Sequence, residues 1–249
     1  MGAGRAVGAL EEMREADVWL IATPDDAIGA TGRALAVSGR LRPGNVVFHL
    51  SGATPAAELD PLRRCGASIA SVHPIKTFSD PEKAAASFAG TYCGVEGDTE
   101  ALGVLKPAFE QIGAYVFDIA PNMKRIYHAG GVFACNYLVA LIEAALMCHH
   151  AAGIPRTASL EAIEPMVRET VDAIFEYGPG RALTGPVSRG DASTLGQQLG
   201  ALRTWNDDMA ELYRRLGLLA VVLAISDGRI DVAQQNELQR VLSIDETRS

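Results

Sequence analysis

The pattern of apolar and polar positions changes character about halfway along the chain. In the first half, short apolar runs alternate with longer stretches of helical period. Val18, Trp19, Leu20, Ile21 and Ala22 form a continuous apolar run, the signature of a strand buried on both faces of a parallel sheet. Thr23, Pro24, Asp25 and Asp26 then read as a helix start, and helical period continues to about Ser38. Further strands are predicted at 46–50, 68–72, 91–95 and 115–119, with helices at 55–64 and 100–112 between them. Strands separated by helices of this length specify βαβ units and a largely parallel sheet. After Pro121 the strands stop. Residues 126–151 contain no proline, and helices follow at 159–177, 194–203, 207–225 and 231–242. The pattern therefore predicts an α/β domain over 1–121 and an all-α domain over 122–249.

Composition narrows the function classes. The formal net charge is -8, and without a block of Lys and Arg the chain is a poor binder of nucleic acid or an anionic membrane. Cys65, Cys93, Cys135 and Cys148 form no CxxC pair, which argues against a disulfide framework and against a metal site. No secretory signal is visible, and no uninterrupted apolar run reaches the ~18 residues of a membrane span. A cytoplasmic protein acting on a small molecule is expected.

Ligands of open parallel sheets sit at the carboxyl ends of the strands, and polar residues collect there. The first strand ends in Thr23, Pro24, Asp25 and Asp26, the second in His49, Ser51 and Gly52, the third in His73, Pro74, Lys76 and Thr77. Each group could also be an ordinary turn; together they point to a binding edge. His49 alternates within its strand and reads equally as a satisfied core histidine. The long helix opens with Tyr127 and His128 and carries Asn136 two turns on, roughly on the same side at 100° per residue. His128 could pass a proton to a substrate carbonyl or hydroxyl, and Asn136 could hydrogen-bond it. Residues 182–191 gather Thr184, Gly185, Pro186, Arg189, Gly190 and Asp191 between helices. Arg189 could clamp an anion in bidentate fashion. Alternatively, this is an Ω-like loop held by an Arg189–Asp191 pair. Gly2, Gly4 and Gly8 evoke a dinucleotide fingerprint, but no strand precedes them and the third glycine is one residue late.

Read in order, these motifs resemble the bacterial proteins that join a Rossmann-like domain to a domain of unknown function numbered 2520. The matching segments are 16–28, 49–53, 71–74, 127–136 and 183–191. That family in turn is similar to pyrroline-5-carboxylate reductase and to the 6-phosphogluconate and 3-hydroxyacid dehydrogenases. The resemblance implies an NADP- or NAD-dependent oxidoreductase acting on a small carbonyl, imine or hydroxyl substrate, with a 6-phosphogluconate dehydrogenase-like helical second domain that pairs in a homodimer. It places Thr23, Pro24, Asp25, Ser51, Gly52, His73 and Pro74 beside the cofactor. It assigns His128 as proton donor and Asn136 as substrate orienter, with Tyr127, Thr184, Arg189 and Asp191 as further substrate contacts.

Two departures temper the expectation. The family's opening strand, glycine-rich loop, first helix and second strand have no counterpart here, so the chain is expected to hold an incomplete Rossmann-like sheet and to bind a dinucleotide poorly. The strand at 18–22 is then expected at an uncovered edge, exposed or covered by residues 2–14 or by another copy. Also, Val132 stands where the 3-hydroxyacid dehydrogenases carry a catalytic lysine, leaving His128 as the only nearby substitute. The competing expectation is a non-catalytic ligand-binding or regulatory protein on a dehydrogenase fold.

Overall fold

In a computed structural model, residues 4–76, 78, 80–120 and 122–243 are described. Gly2, Thr77 and Pro121, named above, lie outside them. The chain forms two compact units, 1–138 and 139–249. The division falls inside the long helical run rather than at residue 121, because the first turns of that run pack on the sheet.

The first unit holds a five-stranded sheet in the order β1-β2-β3-β4-β5. The strands are β1 (Val18–Ile21), β2 (Val46–His49), β3 (Ser68–Pro74), β4 (Tyr92–Gly97) and β5 (Tyr115–Asp118). The helices are α1 (Ile28–Val37), α2 (Pro81–Ala86), α3 (Thr99–Gln111) and α4 (Lys124–Gly131). Pairing is parallel except between β3 and β4, which run antiparallel. The sequence pattern did not distinguish this reversal from another crossover. The segment expected as a helix over 55–64 is a 3-10 helix, Ala56–Cys65, with Pro61 inside it; proline removes a backbone donor and disfavours the regular α-helical ladder.

Alternation along the strands divides the sheet into two faces. One carries Val46, Phe48, Ala70, Val72, Cys93 and Val95 against Ala101 and Leu105 of α3. The other begins as Trp19, Ile21, Val47 and Ile69 under Ile28, Leu35, Leu59 and Leu62. Toward the end of β3 that second face turns polar. Val47 gives way to His49, and Ile69 to Ser71 and His73, with Gly94 and Glu96 opposite on β4. Residues of α4 cover this polar half.

Among the described residues β1 pairs with β2 alone. No backbone bond joins it to residues 4–16. Val18 and Leu20 stand outside the helical cover, Leu20 at 49% exposure.

Helix α4 continues through a π-helical segment, Val132–Asn136, into α5 (Tyr137–Ala151). The whole run, Lys124–Ala151, is 28 residues and, by length and composition, apolar enough to cross a membrane. This differs from the count of uninterrupted apolar residues, because a few polar residues are diluted over a helix of this length.

The second unit contains α6 (Arg156–Tyr177), α7 (Pro179–Ala182), α8 (Gly185–Ser188), α9 (Ala192–Trp205), α10 (Asp207–Ser226) and α11 (Val232–Val241). Its core joins Val187, Leu195, Leu199, Val221, Ala224, Ile230 and Leu238. The segment expected as a loop over 182–191 contains α8, and Asp191 caps α9 by accepting from Thr194 N (3.0 Å) and Thr194 Oγ1 (2.7 Å). Among the described residues, Arg189 and Asp191 form no ion pair, so capping, rather than that pair, orders the turn.

An apolar edge strand with no charge of its own is a template for pairing between chains. Leu20→Lys is expected to lower concentration-dependent light scattering while leaving the circular dichroism spectrum unchanged. Equal scattering by both proteins would show that this edge is not a route to association.

Candidate functional site

The site grows from the polar half of the sheet face and the helix laid over it. Lys124 opens α4, and its side chain is 2% exposed. Its ammonium donates a hydrogen bond to Ser71 Oγ. Ser71 in turn donates to the Ser51 carbonyl (3.3 Å). One turn along α4, the Tyr127 hydroxyl meets His73 Nδ1 at 2.8 Å. His128 lies edge-on to His73, with ring centroids 5.7 Å apart.

Two glycines make room for this arrangement. A Cβ on Gly52 would lie 2.5 Å from His128 Nδ1 and 2.7 Å from His73 Nε2, and one on Gly94 would lie 2.8 Å from the Tyr127 hydroxyl. Bare backbone is thus what lets the three rings converge at the ends of β2 and β3.

The carboxyl ends of β1 and β2 are tied together. Ser51 Oγ donates to Asp25 Oδ2 (2.7 Å) and accepts from Thr54 N (2.9 Å) and Ala53 N (3.2 Å). His49 is fully buried; its Nδ1 accepts from Ser51 N (3.2 Å), and its Nε2 faces the Pro55 carbonyl at 3.4 Å. It is a satisfied core histidine bracing the turn. Glu96 accepts from Ala56 N (2.6 Å), fixing the start of the Ala56–Cys65 helix. Thr23 Oγ1, just past β1, is shielded from solvent and has no hydrogen-bond partner among the described residues.

Electrostatics follow from burial around one cation. Burial lowers the Lys124 pKa to about 8, and the charges of Glu96 and Asp25 resist the fall. Burial, then the charge of Lys124, depresses His49 to about 4. The same two causes, with His128 adding to them, depress His73 to about 4. Burial, with Cys93 nearby, pushes Tyr127 up to about 12. At neutral pH the His49 and His73 rings are therefore neutral and the Tyr127 phenol is protonated, beside a buried ammonium.

Of the residues singled out in the sequence, Asp25, Ser51, Gly52, His73, Tyr127 and His128 are brought together. Thr23 and Pro24 adjoin them at the end of β1, and Pro74 is the last residue of β3, which runs two residues further than the pattern suggested. Asn136 ends the π-helical segment and is exposed. Its wider turn invalidates the 100° arithmetic that aligned Asn136 with His128. Thr184, Arg189 and Asp191 belong to the second unit. Sequence reasoning missed Lys124, Ser71 and Glu96. It gives His128 as the only nearby substitute for the lysine of the 3-hydroxyacid dehydrogenases, whereas Lys124 stands one turn before it. The available signal was a serine two residues before His73, hence on the same strand face.

Comparisons with known proteins now bear on this arrangement. A solved protein from Thermotoga maritima superposes with a TM-score of 0.71 at 24% identity, covering 88% of this chain and 82% of that one. A Bacteroides fragilis protein solved as a candidate NADP oxidoreductase gives 0.64 at 22%, covering 86% and 79%. The Myxococcus stipitatus imine reductase in complex with NADP+ gives 0.55 at 15%, covering 92% and 81%. These likenesses establish the fold, a Rossmann-like sheet followed by a helical region, shared with nicotinamide-dependent reductases. Comparison with curated protein sequences gives no match. The description Rossmann-like domain matches residues 5–74. The description Domain of unknown function (DUF2520) matches residues 91–220, just over half of the chain, and to that family the chain belongs.

Proposed function

We propose that the chain is an oxidoreductase that uses NADP or NAD to reduce or oxidise a small carbonyl, imine or hydroxyl compound in the cytoplasm. The observation that carries this reading is the convergence of His73, Tyr127 and His128 on the bare backbone of Gly52, at the strand ends where such folds hold ligands.

The residues fit the nicotinamide half of a dinucleotide. Thr23 Oγ1 is a buried polar atom lacking a partner among the described residues, and such an atom is costly until it is hydrogen-bonded. A carboxamide is a fitting partner. Asp25, Ser51 and Pro24 shape the same rim. The fit does not extend to the pyrophosphate: the described residues ahead of β1 carry a 3-10 turn, Leu10–Glu12, with Glu11 and Glu12 at its start, the wrong charge for a phosphate.

When bound, the nicotinamide would supply or take the hydride. The chain's own residues handle the proton and the orientation. His128, half-buried beside Gly52, is placed to give a proton to the oxygen or nitrogen that gains the hydride's electrons. Tyr127 holds its proton firmly and shares a hydrogen bond with neutral His73, which fixes that ring beside the reacting centre. A second reading, a ligand-binding protein without chemistry, draws support from Val132 standing where the 3-hydroxyacid dehydrogenases carry a catalytic lysine.

The second unit is further proposed to form a homodimer. Val139 of α5 is 71% exposed, and Leu219 and Val222 of α10 stand out from the same unit. So much apolar helix surface is characteristic of an interface.

Three outcomes are expected. In a fluorescence titration, NADPH should bind this chain with a dissociation constant above ~10 µM, weaker than about -7 kcal/mol. At millimolar NADPH, turnover of cyclic imines and small ketones should fall at least ~100-fold in His128→Gln. Low-micromolar binding would refute the weak-phosphate argument, and no turnover of any compound would favour the second reading. For the dimer, light scattering across a concentration series should give twice the chain mass; the mass of a single chain at every concentration would exclude it.

A further inference from the structure

The antiparallel step from β3 to β4 brings to the ligand edge residues that a wholly parallel sheet would carry to the opposite one. β3 ends at this edge, so β4 begins there, and β5, parallel to β4, begins there too. These two strands open with Tyr92 and Tyr115, which lie opposite each other. Tyr92 shares its face with Gly94, the partner of His73, and Tyr115 shares it with Phe117, the partner of Gly94. The face that carries His73 under Tyr127 therefore continues outward as a second row. Ile75 joins that row: it stands two residues after His73, and its N–H donates to the Tyr92 carbonyl (2.8 Å).

This outer row is apolar and open. Ile75, Tyr92 and Tyr115 are 51%, 57% and 59% exposed. A sheet face turned to water ordinarily carries polar side chains, and a contiguous apolar patch marks a contact surface. The two tyrosine rings lie 5.0 Å apart between centroids, tilted by 35°. That cross-strand contact stabilises the sheet but still leaves more than half of each residue in solvent. Rings also link the outer row to the reacting centre, since Phe117 lies 6.0 Å from Tyr127, and Tyr127 lies 5.6 Å from His73. Tyr92 is the diagonal neighbour of His73 across the β3–β4 pair, a span of about 7–8 Å that long side chains bridge.

We propose that Ile75, Tyr92 and Tyr115 form the specificity platform of the site, and that the substrate carries an aromatic ring which lies on it. The occupant follows from position. A group held one row out from His73, on the same face and at the same edge, belongs to the molecule whose reacting carbon sits beside Gly52 and His128. A ring joined to that carbon directly or through a short chain spans the distance, and tyrosines receive a second ring in offset or T-shaped contact. The choice of occupant rests on the proposed function.

The test uses acetophenone and acetone as probes on the whole chain carrying 3-fluorotyrosine, followed by fluorine NMR without cofactor. Tyr92→Phe and Tyr115→Phe assign the two signals. Acetophenone should shift both signals saturably, and acetone at the same concentration should not. At millimolar NADPH, Tyr92→Thr and Tyr115→Thr, which keep strand propensity but lose the ring, should each lower the ratio of kcat/KM for acetophenone to that for acetone about tenfold. Signals that ignore acetophenone, or an unchanged ratio in both variants, would overturn the inference. Signals that move on diluting the protein but not on adding acetophenone would assign the platform to a second copy and overturn it equally. If the threonine variants do not fold, the titration of the wild-type chain decides alone. Turnover of acetone with unmoved tyrosine signals would sink the inference and leave the proposed function standing. Acetophenone-dependent shifts in a chain that turns over neither ketone would do the reverse.

Discussion

The first unit depends on one arrangement: α4 lies over the part of the sheet face that carries His49, Ser71 and His73. A helix on an apolar face needs only matched volume. A helix on a polar face must satisfy each donor and acceptor it covers, or the burial costs more than it returns. Here Lys124 meets Ser71, Tyr127 meets His73, and Ser51 receives Ser71 and holds Asp25. The bare backbones of Gly52 and Gly94 follow from this packing, because a Cβ at either would enter the rings. So does the division of the chain beyond residue 138, since the opening turns of the long helix belong to the sheet.

Most of the fold was legible because its elements bury apolar residues with the right period. The five strands and the longer helices follow directly from runs such as 18–22 and from the helical spacing over 207–225. The antiparallel step from β3 to β4 was not legible. Either direction buries Val95 and Cys93 equally well, and the connection between the strands carries a short helix, α2, without marking a turn back. The π-helical segment was also hidden, because Val132 to Asn136 look like any apolar helix.

The site was legible in part for the same reason. Glycine and polar residues at strand ends advertise a ligand edge, and Ser51, Gly52 and His73 do so individually. Lys124 was hidden because a lysine at the start of a helix is usually solvated. Its burial comes from the tertiary packing of α4, which no local pattern encodes. Ser71 was likewise read as part of a strand, although its position two residues before His73 puts both on one face. The edge position of β1 was anticipated from the family resemblance and not from its composition, since five apolar residues without a charge read as a central strand.

The account holds that a cation is buried in the first unit at a cost to stability. The unfolded chain keeps a lysine proton up to its ordinary pKa of about 10.5, whereas in the folded chain Lys124 gives it up near pH 8. Between these values the unfolded state binds more protons, so this group's contribution to stability rises with pH across that window. Denaturant unfolding of wild-type and Lys124→Met, followed from pH 7 to pH 10.5, isolates the effect, because the other groups titrate in both proteins. The stability advantage of Lys124→Met should be largest at pH 7 and shrink by about 3 kcal/mol by pH 10.5. A difference between the two proteins that stays constant across this range would contradict the account.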